Sequence, residues 1–458
     1  MQNSQPPQKK IFVYVFVPVL LALIASAIVN LQLFQDGGSY LFEILQINSA
    51  AIRHNRISVV LIQAPTIFFI KLVRRFPGGI DEHLSLIRIV FSLSYSLMPF
   101  LALLLSWFVV RKRNESLFVW AALIILFINL VNFSGVSELL ISIQLSCPLM
   151  LASLLIPRTR FFWVLIAILL PFIFFLHPLV AVLFITMAIG NIYVGYKKPE
   201  VRSATWRTAS MLVAAGILKL MLNIYSLSNY ENSFLEKKGM NEYILDTSIE
   251  NKFLLVVSII IGAGILVNKL KNNFRIKSTI SLQRTYIILI GLAIIACLLL
   301  VFQYSYQEFP LKTGLSMIAS LAVLLMMAFD SVEKTTPAES VQRFRLVTVL
   351  AILFSLVIAS KALVWQLSIQ KLRQSISHSE SPCLELNSEN FKWLNSNPYK
   401  IINTWALPSL ALIEQNNNPR KLLLEEGSCK TYYESGSIKF DEWSIIPKQY
   451  ITLDLQEK

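Results

Sequence analysis

Asp36, Tyr40 and Glu43 are separated by four and three residues, the spacing that brings side chains to one face of a helix. If a helix restarts after Gly37-Gly38, two carboxylates and a phenol share that face. A carboxylate there could take the proton of an attacking hydroxyl. Further along the same segment come Arg53, His54 and Arg56. Arginine offers a planar fork of N–H donors that matches a phosphate, so these cations suit an anionic group. Each reading has a plainer rival. Asp36 also serves as a solvated loop carboxylate or as an acidic helix start, and the arginines also suit anionic lipid headgroups.

The elements that position these residues are apolar. Of 458 residues 55% are hydrophobic and only 15% charged, with mean hydropathy +0.60. A soluble domain carries about 25% charged residues. The apolar runs are continuous and do not alternate, which excludes a barrel and leaves helices. The expected fold is an all-α polytopic membrane protein of about eleven transmembrane helices, with a small C-terminal extracytoplasmic α/β domain.

The spans read as Ile11–Leu33, Ile87–Val110, Ser116–Phe133, Val136–Ile156, Phe161–Phe175, Pro178–Val194, Ala209–Tyr225, Phe253–Val267, Tyr286–Phe302, Thr313–Phe329 and Leu346–Trp365. The fifth and sixth divide one apolar stretch at His177-Pro178, because proline ends the preceding helix. Ala25-Ser26-Ala27 resembles a signal-peptidase site, but the apolar run continues to Leu33 and reads as an uncleaved anchor.

Charge orients the chain. Nineteen Lys and Arg residues fall in alternate loops, among them Lys9, Arg111-Lys112-Arg113, Lys197-Lys198 and Arg343. The positive-inside rule puts that face in the cytoplasm, with the plasma membrane as the expected compartment, and the C-terminus outside. The exception is the first outer loop, residues 34–86, which holds Arg53, Arg56, Lys71, Arg74 and Arg75. Its short apolar run Ile57–Leu72, interrupted by Pro65, reads as helix lying in the interface and not as a span. The +14 net charge is thus spent on orientation, and no nucleic-acid motif is present.

Two domains are expected: a transmembrane unit over 1–365 and a polar outer unit over 366–458. Cys383 and Cys429 lie in the outer unit, and an oxidising compartment would allow them to pair as a disulfide. Three more residues face the same side as Asp36: Glu138 at the start of the fourth span, His177 at its turn, and Lys312 in a later outer loop. Lys219, inside the seventh span, either snorkels or faces a polar cavity.

The run Gln35-Asp36-Gly37-Gly38-Ser39-Tyr40, the basic loop after it and the N-in, C-out layout resemble the GT-C membrane glycosyltransferases, which include protein mannosyltransferases and aminoarabinose transferases. The resemblance implies transfer of a sugar from a polyprenyl-phosphate donor to a glycan, lipid or protein acceptor at the outer membrane face. It implies that Asp36 activates the acceptor; Tyr40, Glu43, Arg53, His54, Arg56, Glu138, His177 and Lys312 are then the expected substrate-binding residues, from their positions on the same side. Some relatives carry a second acidic residue where this chain has Gly37, so a divalent metal is an open cofactor. The rival readings are a lipid or polysaccharide transporter, which would show paired mid-membrane charges and repeated halves, and a non-catalytic scaffold, which would tolerate loss of Asp36. No Walker loop or nucleophile elbow occurs.

Overall fold

A computed structural model describes residues 12–226 apart from 135 and 158, residue 314, residues 316–430 apart from 334–335, 397, 416–419 and 425–427, and short strands at 437–439 and 445–447. The spans expected at Phe253–Val267 and Tyr286–Phe302, and Lys312, lie outside these residues. The described chain is mostly helical. Five helical stretches are long and apolar enough to cross a membrane: Gly79–Val110, Glu138–Leu155, Val180–Lys197, Pro199–Tyr225 and Glu339–Ser377.

The first apolar run is interrupted earlier than its composition suggests. Helix α1 covers Val17–Ile28. Asn30 then adopts a left-handed backbone and a single 3-10 turn spans Leu31–Leu33. Asparagine tolerates that conformation. The Gln32 amide donates back to Ser26 Oγ at 3.1 Å, folding the turn against the helix end. Helix α2 is Asp36–Ile47 and begins at Asp36 itself, not beyond the glycines. The corner before it is tight: Gln35 has φ +46°. A Cβ on Gly37 would stand 1.7 Å from the Gln32 carbonyl oxygen, so only glycine fits there.

Helix α3, Val59–Val73, continues through Pro65. At 1.5 Å per residue its fifteen residues reach about 22 Å, short of a ~30 Å hydrocarbon core. Helices α4 (Gly79–Ser96) and α5 (Met98–Val110) follow nearly end to end, then α6 (Phe118–Val131) and α7 (Glu138–Leu155). The membrane-length window of α7 is 94% buried. It packs against α5 and α6, and against α8 (Arg160–Phe174), α9 (Val180–Lys197) and α11 (Ser316–Val332). A helix apolar all round belongs at such a centre. α8 and α9 are separate helices either side of His177-Pro178. α10, Arg202–Ser226, packs on α9.

Helix α12 runs from Pro337 to Ser377, twelve residues past Trp365 where the apolar run stops. Its start is fixed by a capping box: Glu339 N–H donates to Thr336 Oγ1, and Thr336 N–H donates to Glu339 Oε2. Beyond it, strands β1 (Cys383–Glu385) and β2 (Leu422–Leu424) pair in parallel, and β3 (Ser437–Lys439) and β4 (Ile445–Pro447) pair antiparallel. A disulfide joins Cys383 to Cys429. The short helix α13, Leu407–Ile413, packs on α2.

Side-chain bonds define the two ends of the bundle. At one, Arg113 donates to the Leu155 carbonyl and Lys198 to the Ser331 carbonyl. There too the Trp120 indole and the Arg343 guanidinium both donate to Asp330. These are the turns rich in Lys and Arg. The opposite end carries α2, the 48–58 segment and the start of α7.

Candidate functional site

The site is built on α2, with Asp36, Ser39, Tyr40 and Glu43 along one face. Tyr40 is buried, and its phenol donates to Glu138 Oε1, ninety-eight residues away in sequence. Arg56 Nη1 donates to the other carboxylate oxygen of Glu138 at 2.9 Å. Glu138 opens α7, where the positive end of the helix dipole favours an anion. It is only 3% exposed, so these partners are what allow a charge to reside there.

Arg53 forms a second arm. Its Nε donates to Glu43 Oε2 at 2.8 Å and its Nη2 to Ser39 Oγ at 2.8 Å. Its guanidinium also lies over the Tyr40 ring, 4.9 Å from the centroid. The two arginines flank a tight turn. Arg56 N–H donates to the Arg53 carbonyl at 3.0 Å, and the central residues His54 and Asn55 are both left-handed, with φ +52° and +58°. That is the type I′ pattern, one that asparagine and histidine accept better than most residues. The turn aims Arg53 at α2 and Arg56 at Glu138 of α7.

Asp36 lies one helical turn before Tyr40 and is half-buried, as is Glu43, whereas Glu138 is buried. Burial, followed by the negative charge of Glu138, pushes the Tyr40 phenol well above its ordinary value, with Asp36 adding to the rise. Tyr40 is therefore a neutral donor at physiological pH. Gly37 lies against Val136: a Cβ there would be 3.4 Å from Val136 Cγ2. The approaches to Asp36 and to Glu138 are thus in direct contact.

Most of the residues expected from the sequence come together. Tyr40, Glu43, Arg53, Arg56 and Glu138 form one bonded cluster, with Asp36 on the same helix face and His54 in the turn. His177 lies at the same end: Ser58 N–H donates to the Phe175 carbonyl at 3.5 Å, and His177 Nδ1 accepts from Leu179 N–H at the start of α9. Lys219 leans over the Phe174 ring, 5.3 Å from its centroid. Among the described residues no group of three or more His, Cys, Asp or Glu side chains is placed to hold a metal ion.

Several supporting residues were not singled out in the sequence. Gln63 holds the loop through Ala51, accepting its N–H at 2.8 Å, and reaches the Tyr95 hydroxyl at 3.3 Å. Arg88 in α4 and Arg373 in α12 both pair with Glu414. Arg420 pairs with Asp81, and Lys361 in α12 is buried. Arg88 and Lys361 did carry a readable signal, since each is a charge inside a predicted span.

Comparison with family models, with curated proteins and with solved structures yields no match to this chain. What the protein does must therefore be argued from the cluster itself.

Proposed function

We propose that the chain is an integral membrane glycosyltransferase of GT-C type, acting on a polyprenyl-phosphate-linked sugar at the membrane face that carries α2. On this reading it has eleven spans, its N-terminus is cytoplasmic and residues 366–458 lie outside as a small α/β domain. The observation that carries the reading is the cluster on α2: an accessible carboxylate, Asp36, one turn from a phenol and two guanidinium groups held by Glu138 and Glu43. This is the charge arrangement that a hydroxyl nucleophile and a phosphate leaving group require.

In the transfer, the acceptor hydroxyl oxygen bonds to the anomeric carbon as its proton passes to Asp36. The bond from that carbon to the phosphate oxygen breaks, and its electron pair leaves on the phosphate. Arg53 and Arg56 stabilise that growing charge. Glu138 keeps Arg56 in place, its two oxygens accepting from the Tyr40 phenol and the Arg56 guanidinium.

The test has two arms. Mass spectrometry of lipid extracted from the detergent-purified protein should reveal a polyprenyl phosphate. Asp36→Asn should lower turnover of that donor by about 10²–10⁴ with unchanged expression and unfolding. Full transfer by Asp36→Asn would eliminate the mechanism, and a scaffold would show that indifference.

A further inference from the structure

Lys361 sits on the buried face of α12 with 1% exposure. Its ammonium donates to three carbonyls at the end of α6: Asn129 at 3.1 Å, Leu130 at 2.7 Å and Asn132 at 2.7 Å. The last carbonyls of a helix have no partner within it, and the negative end of the α6 dipole attracts a cation. A lysine reaching from a neighbouring helix satisfies both needs and fixes where α6 stops.

One turn further along the same face is Trp365, fully buried. Its ring lies 6.2 Å from Phe34 and 6.4 Å from Phe133, and those two rings lie 4.8 Å from each other. Phe34 is two residues before Asp36. Phe133 is five residues before Glu138, in the turn whose start Lys361 caps. The segments leading into the two site carboxylates therefore converge on one strip of α12. Their direct contact, Gly37 against Val136, lies just beyond that strip.

We infer that Lys361 and Trp365 are positioning residues: together they form the post that sets the spacing between Asp36 on α2 and Glu138 on α7. Lys361 acts by ending α6, so that the 132–137 turn has a single length and direction. Trp365 acts by holding Phe34 and Phe133 in one aromatic stack. The role in transfer rests on the function proposed above, but the positioning can be read without any activity.

The experiment is hydrogen–deuterium exchange on the full chain in detergent. Lys361→Met keeps the length of the side chain and removes its donors. Trp365→Leu removes the aromatic contacts and leaves Lys361 in place. Each should raise exchange at least several-fold in two separate segments, 30–40 and 129–140. Leu363→Ala, exposed on the opposite side of α12, should leave both as in the wild type. With farnesyl-phosphoryl hexose as probe, the two variants should lose kcat about tenfold or more while KM stays within about threefold.

Faster exchange confined to 129–140 would make Lys361 a local helix cap and overturn the inference. So would a parallel fall in kcat, KM and unfolding temperature, which marks general loss of structure. If Lys361→Met aggregates, Trp365→Leu decides by the same criteria. A wild-type chain inactive on the probe, with both variants loosening both segments, would count against the glycosyltransferase reading and leave the post intact.

Discussion

Two buried carboxylates in this protein are each gripped by arginine, and they differ in what surrounds them. Glu138 divides its oxygens between a phenol and one guanidinium, beside half-buried Asp36. Glu414 receives two guanidinium groups, from Arg88 and Arg373, on the single oxygen Oε2, and its Oε1 has no hydrogen-bond partner. Arg88 is 2% exposed and Glu414 1%. In the second cluster Arg88 and Glu414 are sealed and Arg373 is 41% exposed, and it ties the segment after α13 to α4 and α12. Arg420 repeats the tie to Asp81. A buried charge is thus no mark of a site by itself; what distinguishes Glu138 is its neighbour, an accessible acid on the same surface.

The sharpest test of this contrast is Glu414→Ala. It leaves Arg88 buried beside Arg373 without their shared anion, and breaking such a pair costs about 3–5 kcal/mol. Denaturant unfolding should record that loss, and activity should fall only as far as folding does. Activity lost from a chain of normal stability would make Glu414 part of the site and erase the distinction.

Arg56→Ala should cost less, about 1.5–3 kcal/mol for a charged hydrogen bond removed from an arginine that is 15% exposed. Its signature should instead be weaker donor binding, with a deficit larger at low salt than at high salt, since screening dulls the attraction that the arginine supplies. A binding isotherm at two ionic strengths checks this, and a deficit independent of salt would argue against a phosphate contact.

Tyr40→Phe should have the smallest effect, about 0.5–1.5 kcal/mol. It also has a pH signature. The folded-state value of Tyr40 is raised above the ordinary 10.0. The folded chain therefore keeps the phenol proton after the unfolded chain begins to lose it. That share of stability is complete below about pH 10 and declines as pH rises beyond it. The wild type should show this alkaline decline more steeply than Tyr40→Phe; equal slopes would mean that the phenol is not held as described.

Much of the site was legible locally. The spacing of Asp36, Tyr40 and Glu43 places them on one face of α2, and the basic loop after them does supply the arginines that meet that face. Glu138 was readable as an ionisable group at the edge of an apolar run. What periodicity cannot carry is pairing at long range: nothing near Tyr40 announces a residue ninety-eight positions later. Nor does anything near Arg88 announce Glu414. The corner at Gln35 was obscured for another reason. Asn30 and Gln32 are polar residues in an apolar stretch, and the hydropathy of their neighbours outweighs them. The end of α12 shows the reverse limit, since the apolar run stops at Trp365 while helical hydrogen bonding continues to Ser377.

That uninterrupted helix makes α12 a ruler. Lys361, which holds the end of α6, and Arg373, which holds Glu414, are twelve residues apart on one rigid rod, about 18 Å along its axis. Their separation and their angular phase are set by the helical backbone between them. A single alanine inserted between them would rotate one grip relative to the other by about 100° and lengthen the rod by about 1.5 Å. Seven inserted residues would nearly restore the phase and leave only the added length, so the two insertions would separate what the molecule owes to direction from what it owes to distance.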